Sequence, residues 1–148
     1  RSFHVTGVQT CALPICNHWP DRAAVLEHLR HKKAFARWDP QALADYVDHG
    51  TTQRDGQRWL RFDRDIETAI YNTLPDHIEA YLRRPPLKCK AALIGGLQSR
   101  ELKQVGLAFS QRITQGRVFK VDGTHLFPME HPHVTAAAIE AALLNLMG

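Results

Sequence analysis

The first part of the chain carries apolar residues at the spacing of an amphipathic helix. Val25 and Leu29 fall on one face of such a helix, and their spacing predicts a helix over Arg22–Phe35. Asp21 stands immediately before this stretch, and its carboxylate can accept a hydrogen bond from a free backbone N–H of the first turn. The first predicted element is therefore a helix with a side-chain cap.

A second helix is predicted to begin at Pro40 and to end at Gly50. Asp39 is a suitable N-cap, and proline is tolerated at the first helical position because its missing N–H would have no partner there. Leu43 and Val47 give the helix an apolar face. The boundaries of this element are thus marked at both ends.

The next stretch alternates turn signals with short apolar runs. Asp55-Gly56 predicts a turn, and Trp59–Phe62 predicts a short extended segment. Asp65–Tyr71 and Asp76–Leu82 predict two further short helices. Residues 17–84 are therefore predicted to form a largely helical section. We expect most of its six aromatic side chains to form the core of this section rather than a substrate pocket. They are Phe35, Trp38, Tyr46, Trp59, Phe62 and Tyr71.

A different pattern begins after Pro85-Pro86, where strands alternate with helices. The predicted elements are a strand over Cys89–Gly95, a helix over Ser99–Ile113, a strand over Arg117–Val121, a loop over Asp122–His131 and a helix over Pro132–Met147. This alternation is typical of an α/β fold with a parallel sheet. Two strands are too few for a sheet covered on both faces, and we expect the remaining strands upstream.

The composition and charge are those of an ordinary globular protein. The 148 residues are 44% hydrophobic and 23% charged, with a net charge of +4. The basic residues are scattered and form only small clusters at Arg30–Lys33 and Arg83–Arg84, so we expect no nucleic-acid partner. Uninterrupted apolar stretches stay below about 18 residues, so we expect no membrane partner and a cytoplasmic protein.

Residues 1–15 resemble a segment of different origin from the rest of the chain. Val5–Ile15 resembles the constant part of a translated sequencing adapter, and Ser2–His4 resembles its variable index. We therefore expect residues 1–16 to be a disordered artefact. Cys11 and Cys16 then drop out of the cysteine count, and the remaining Cys89 can form neither an internal disulfide nor a metal site by itself. We expect Cys89 to be a small buried side chain.

The order of these motifs resembles the C-terminal half of a capped α/β-hydrolase. Residues 17–84 resemble the helical lid, or cap, and residues 85–148 resemble the last part of the core. Ala91–Gly96 is similar to the seventh strand of that fold and Val118–Val121 to the eighth. The loop Gly123–Pro132, with the sequence GTHLFPMEHP, is the strongest match. The resemblance implies a hydrolase of the carboxylic-ester type that acts on a small molecule and needs no cofactor.

The resemblance also implies a role for His125 in the loop after the last strand. In a nucleophile–histidine–acid triad this residue takes the proton of the nucleophile and later passes it to the leaving group. Gly123 allows the sharp turn before it, and Pro128 stiffens the chain after it. His125 is therefore the predicted catalytic base.

The other triad members are not evident in the sequence. A G-x-S-x-G nucleophile motif does not occur in these 148 residues. Many relatives carry the acid shortly after the seventh strand, where this chain has Ser99, and others carry it upstream. Glu101 and Asp122 are local alternatives for the acid, and we expect Ser99 to cap the helix that follows it.

The sequence is compatible with several alternative functions. Epoxide hydrolases and haloalkane dehalogenases share the fold but use an aspartate nucleophile. The chain could also be a partial domain without activity, and we expect it to be inactive alone and able to self-associate through an exposed sheet edge. We expect no metal site, because the spacing of His125, Glu130, His131 and His133 matches no zinc pattern.

Overall fold

A computed structural model describes residues 17–73 and 87–148 of the chain. Five strands and seven helices lie within these two ranges. The strands are β1 (His18–Trp19), β2 (Thr51–Arg54), β3 (Gln57–Leu60), β4 (Leu93–Gly96) and β5 (Val118–Val121). The helices are α1 (Arg22–Arg30), α2 (Pro40–Gly50), α3 (Arg64–Asn72), α4 (Arg100–Val105), α5 (Ala108–Thr114), α6 (Phe127–Glu130) and α7 (Pro132–Met147). The predicted helix over Asp76–Leu82 and the adapter-like residues 1–16 lie outside the described residues.

The section before residue 74 packs around a small core of its own. Val25 and Leu29 of α1 are buried against Leu43 and Val47 of α2, together with Trp19 of β1. Burying side chains of this size stabilises the section by about 1.5–3 kcal/mol each. The apolar spacing that predicted the two helices therefore also identified the faces that pack together.

The section predicted to be helical also contains a three-stranded antiparallel sheet. Its strand order is β1-β3-β2, and β2 and β3 form a hairpin that turns at Asp55-Gly56. Asp55 and Gly56 both have positive φ angles, 48° and 76°, which suit a tight hairpin turn. The turn was predicted, but the strands around it were predicted only in part, over Trp59–Phe62.

The first helix is shorter than predicted, since α1 ends at Arg30. From there three successive turns reach Trp38, each closed by a backbone hydrogen bond between residues three apart. These turns bring three aromatic rings together, with centroid distances of 4.8 Å for Phe35–Trp38 and 5.4 Å for both Phe35–Tyr46 and Trp38–Tyr46. As predicted, these three aromatics pack together, but Phe62 and Tyr71 are exposed.

The second section contains a parallel pair of strands, β4 and β5, and this arrangement confirms the predicted α/β class. Leu93 pairs with Val118, and Gly96 pairs with Val121 at the other end of the register. The long helix predicted over Ser99–Ile113 is instead two helices, α4 and α5, because the chain at Gly106 adopts a φ of 77°. The last helix, α7, has the predicted boundaries.

Two further differences concern the ends of these elements. The strand predicted from Cys89 begins only at Leu93, and Cys89 is exposed rather than buried. The loop predicted over Asp122–His131 contains one short helix, α6.

Among the described residues, no helix combines the length and the apolar character needed to cross a membrane.

Candidate active site

Two loops that carry polar side chains meet at one edge of the parallel sheet. The strands β4 and β5 run in the same direction, so their carboxyl ends lie side by side. One loop continues from Gly96 to Ser99, and the other continues from Asp122 to His125. Ligands of open α/β sheets bind at this edge. This edge of the sheet is therefore the candidate functional site.

The two loops are in direct backbone contact. The N–H of Leu97 donates to the carbonyl of Val121 at 2.9 Å, and the N–H of Gln98 donates to the carbonyl of Gly123 at 2.9 Å. Gly123 has a φ of 125°, which an L-residue with a side chain rarely adopts. The sharp turn predicted at this glycine is therefore present, and it aligns the second loop beside the first.

The predicted base, His125, lies next to the start of α4. Its Nδ1 atom is 3.5 Å from Oγ of Ser99 and 3.9 Å from Oε2 of Glu101. Ser99 Oγ is in turn 3.1 Å from Oε2 of Glu101. The fold thus brings together the serine at the usual position of the acid and one of the two alternative carboxylates.

The hydrogen-bonding capacity of Ser99 matches its neighbours. A hydroxyl group has one donor and two lone pairs. Ser99 donates to Glu101 and accepts from the backbone N–H of Leu102 at 3.1 Å, which is the predicted N-cap contact. One lone pair remains for a proton on Nδ1 of His125. With the proton on Nδ1, the Nε2 atom of a neutral imidazole is unprotonated and can act as a base.

The electrostatics favour an ionised Glu101. The hydrogen bond from its own backbone N–H is the main cause that holds the pKa of this carboxyl below its ordinary value. Burial partly opposes it, and the Ser99 hydroxyl and the charge of His125 lower the pKa further. Ser99 is 2% exposed, whereas the side chains of Glu101 and His125 are 57% and 65% exposed. The buried Ser99 hydroxyl therefore lies beneath two exposed side chains, a carboxylate that is negative when ionised and an imidazole that is positive when protonated.

Asp122, the other alternative, is engaged elsewhere. Its Oδ1 atom accepts a hydrogen bond from Nε2 of Gln98 at 2.9 Å. This contact joins the two loops but places the carboxylate against an amide rather than against the imidazole. Of the two alternatives, Glu101 is the one in contact with His125.

The buried side chain of Glu130 accepts hydrogen bonds from the loop that carries His125. The sequence did not predict this role. Its Oε2 accepts from the backbone N–H of Thr124 at 2.9 Å, and its Oε1 accepts from the Thr124 hydroxyl at 2.5 Å. Burial raises the pKa of Glu130, but the two Thr124 contacts and the charge of Arg37 lower it more, so the pKa lies below its ordinary value. The available signal was a carboxylate five residues after the histidine, at the end of α6.

His125, Glu130, His131 and His133 are of residue types that can bind a metal ion. Within residues 17–73 and 87–148, no three histidine, cysteine or acidic side chains converge as ligands would. Glu130 instead uses both carboxylate oxygens on Thr124, and one of them also faces Arg37. These contacts account for the buried carboxylate without an ion.

The sequence and the fold were compared with those of known proteins. No protein-family model and no curated protein matches the sequence. Several solved structures are similar in fold, including the following three. The peroxisomal α/β-hydrolase Lpx1 of Saccharomyces cerevisiae has a TM-score of 0.69 and 17% identity, over 89% of this chain and 37% of its own.

The other two structures are an E-2-(acetamidomethylene)succinate hydrolase and a thioesterase domain from the curacin biosynthetic pathway. The first has a TM-score of 0.67 and 20% identity, over 84% of this chain and 46% of its own. The second has a TM-score of 0.62 and 19% identity, over 82% of this chain and 44% of its own. The chain therefore has part of the α/β-hydrolase fold, and it spans less than half the length of these structures.

Proposed function

We propose that the chain supplies the base and the acidic partner of a hydrolase that cleaves a carboxylic-ester-type bond. The observation that carries the proposal is the contact of His125 Nδ1 with Ser99 and Glu101 at the carboxyl edge of the parallel strands. The similarity in fold to α/β-hydrolases supports it. The nucleophile and the oxyanion-hole donors come from a part of the protein that precedes these residues.

In this proposal His125 works through its Nε2 atom. Nδ1–H donates to Ser99, whose hydroxyl donates to the ionised Glu101, so the imidazole is held in one tautomer and orientation. Nε2 takes the proton of the nucleophile as the acyl carbon is attacked. The imidazolium that forms is stabilised by the negative charge of Glu101 and returns the proton to the leaving group.

Ser99 alone would stabilise the protonated His125 only weakly, so the proposed role needs the Glu101 carboxylate. Serine carries no charge and cannot stabilise an imidazolium by itself. The distance of 3.9 Å between Glu101 Oε2 and His125 Nδ1 is longer than a hydrogen bond but within the range of an ion pair. Catalytic hydrogen bonds are often long before substrate binds, so this geometry is suitable for the proposed role.

The test is a substitution of His125 in the protein that includes the preceding segment. We expect His125→Ala to lower kcat/KM for small activated esters by about 10²- to 10⁴-fold, because a positioned base contributes this much to the rate. His133→Ala is the matched control, since His133 is an exposed histidine at the start of α7. An ester hydrolysis rate that is unchanged in His125→Ala would refute the proposal.

Two further measurements separate the alternatives. Parallel assays with epoxides and haloalkanes would distinguish an aspartate nucleophile from a serine, since His125 could serve either. Size-exclusion chromatography of the 148-residue chain, alone and with the separately produced preceding segment, would distinguish complementation from self-association. His125-dependent turnover by the isolated chain would contradict the assignment of the nucleophile to another segment.

A further inference from the structure

One arginine of the cap section contacts the Ser99 loop and the carboxylate that holds the His125 loop. Arg37 lies in the turns between α1 and α2. Its Nη1 atom donates to Oε1 of Gln98 at 2.6 Å, and its Nη2 atom lies 3.3 Å from Oε2 of Glu130. The contacts join positions that are 61 and 93 residues away in sequence. We call these three residues the Arg37 bridge.

On one side, the bridge reaches the loop that carries Ser99. Gln98 is the residue before Ser99, and its backbone N–H donates to the carbonyl of Gly123. Its side-chain amide donates to Asp122, while its side-chain oxygen accepts from Arg37. The Gln98 side chain is therefore held at both of its polar atoms.

On the other side, the bridge reaches the loop that carries His125. The Glu130 side chain is 3% exposed and holds both the N–H and the hydroxyl of Thr124, the residue before His125. A buried carboxylate is costly without a positive partner. Arg37 supplies that charge, so the cap section contributes directly to the environment of the histidine loop.

An arginine suits this place for a geometric reason. Its guanidinium is a rigid planar fork that can present separate N–H groups to two acceptors at once, whereas a lysine presents one compact ammonium group. A second contact keeps the cap segment in place, because the N–H of Asp39 donates to the carbonyl of Met129 in α6 at 2.8 Å. The segment around Arg37 therefore docks on α6 independently of the bridge.

We propose that Arg37 is a positioning residue that fixes the Ser99 loop and the His125 loop relative to each other. The inference rests on the proposed function for its catalytic consequence. Arg37 itself touches neither His125 nor Glu101 in the described contacts. It acts directly on Gln98, the residue before Ser99, and through Glu130 on Thr124, the residue before His125.

The direct test uses amide hydrogen exchange in the 148-residue chain. We expect Arg37→Gln to accelerate exchange of the Thr124 and Gln98 amides by at least about fivefold. The Thr124 amide donates to Glu130, and the Gln98 amide belongs to a residue whose side chain accepts from Arg37, so both amides depend on the bridge. The amide of Leu60 in β3, which donates to the carbonyl of Asn17 just before β1, should keep its rate. Equal rates in wild type and Arg37→Gln at Thr124 and Gln98 would overturn the proposal.

Two variants sharpen the result. Arg37→Lys keeps a charge for Glu130 but cannot span both acceptors, so we expect faster exchange at Gln98 with little change at Thr124. Arg30→Gln is the matched control, since Arg30 is an exposed arginine of the same section whose ion pair with Glu27 is 3.7 Å long. The same acceleration in Arg30→Gln would show a general loosening of the section and would also overturn the proposal.

A kinetic readout links the bridge to the proposed base. In the protein that includes the preceding segment, Arg37→Gln should lower kcat by about tenfold or more with little change in KM, since misplacement of a catalytic group slows the chemical step. Failure of the two ideas is distinguishable. Unchanged exchange refutes the bridge while His125 can still be the base, and an active His125→Ala refutes the base while the exchange result stands.

Discussion

A Cβ atom placed on Gly96 would lie 2.1 Å from the carbonyl oxygen of Thr124. It would also lie 2.7 Å from the carbonyl oxygen of Gly123. Gly96 ends β4, and the two crowded carbonyls belong to the loop that carries His125. The absence of a side chain at Gly96 therefore sets how closely the histidine loop approaches the neighbouring strand.

We expect Gly96→Ala to displace the histidine loop and to destabilise the protein. The atoms in the way are backbone atoms, which cannot rotate aside, and overpacking of this kind costs about 1–3 kcal/mol. Urea unfolding measures the loss of stability. The chemical shifts of the Thr124 and His125 amides report whether the loop has moved.

Gly95→Ala is the matched control for this prediction. A Cβ on Gly95 would meet Cδ2 of Leu102 at 2.7 Å, and this atom is the end of a flexible side chain that can change rotamer. We therefore expect a smaller loss of stability and little change at Thr124. A larger effect in Gly95→Ala than in Gly96→Ala would contradict the role assigned to Gly96.

Local signals in the sequence predicted most of the helix ends. Asp39 caps α2 by accepting from Gln41 and Ala42, Ser99 caps α4, and α7 has its predicted boundaries. Such contacts join residues within one turn of helix, so residue type and spacing suffice to find them. The same reasoning gave the α/β class, because alternation of strand and helix is also a local pattern.

The parts that the sequence did not predict depend on distant contacts. No local pattern indicates a partner for the Glu130 carboxylate, since Arg37 lies in another section of the chain. The pairing of β1 with β3 joins residues about forty positions apart, and no local signal marks a strand of two residues. Glu101 could be named as an alternative acid, but only the fold brings it to His125.

Replacement of Ser99 should change the titration of Glu101. The hydroxyl lowers the pKa of this carboxyl, so Ser99→Ala should raise the Glu101 pKa toward its ordinary value of 4.5, while the contact from its own backbone N–H remains. Carboxyl-carbon NMR titration measures the change. Glu27 is an internal reference, because its pKa is lowered by His31, far from the substitution. An unaltered Glu101 pKa would contradict the hydrogen bond with Ser99.

Glu130 should contribute to stability in a way that depends on pH. Its pKa is lower in the folded protein than the ordinary value of 4.5, so its contribution is present above that value and is lost as the pH falls through the folded pKa. Glu130→Gln should cost about 1–3 kcal/mol at neutral pH and less in acid, because Gln replaces an ionised acceptor. Urea unfolding at neutral pH and at about pH 3 measures the difference.

Glu140→Gln is the control for the Glu130 substitution. Glu140 is an exposed carboxylate on α7, so its replacement should change stability little at either pH. A difference between Glu130→Gln and wild type that does not shrink in acid would show that the effect of Glu130 is one of shape rather than charge.

Cys89 should react readily with thiol reagents in the folded protein. The sequence suggested a buried side chain, but β4 begins only at Leu93 and leaves Cys89 exposed before it. Native labelling with a thiol reagent should therefore count one fewer reactive group in Cys89→Ser than in wild type. Equal counts would show that the side chain is protected.

The break between α4 and α5 should depend on the backbone of Gly106. This residue has a φ of 77°, and a Cβ added there would meet no atom within 4 Å, so an alanine would fit but would be strained. We expect Gly106→Ala to destabilise the protein by about 1 kcal/mol or more for this reason alone.

Gly50→Ala separates backbone strain from the general effect of replacing a glycine. Gly50 ends α2, and an added Cβ would make ordinary contacts with the Tyr46 ring at 3.5 Å. At such a site, alanine should be neutral or stabilise by about 0.4–1 kcal/mol, because it restricts the unfolded chain. Opposite signs for the two substitutions in urea unfolding would support the strained turn at Gly106. A stabilising Gly106→Ala would instead indicate that α4 and α5 can join into the single helix that the apolar spacing predicts.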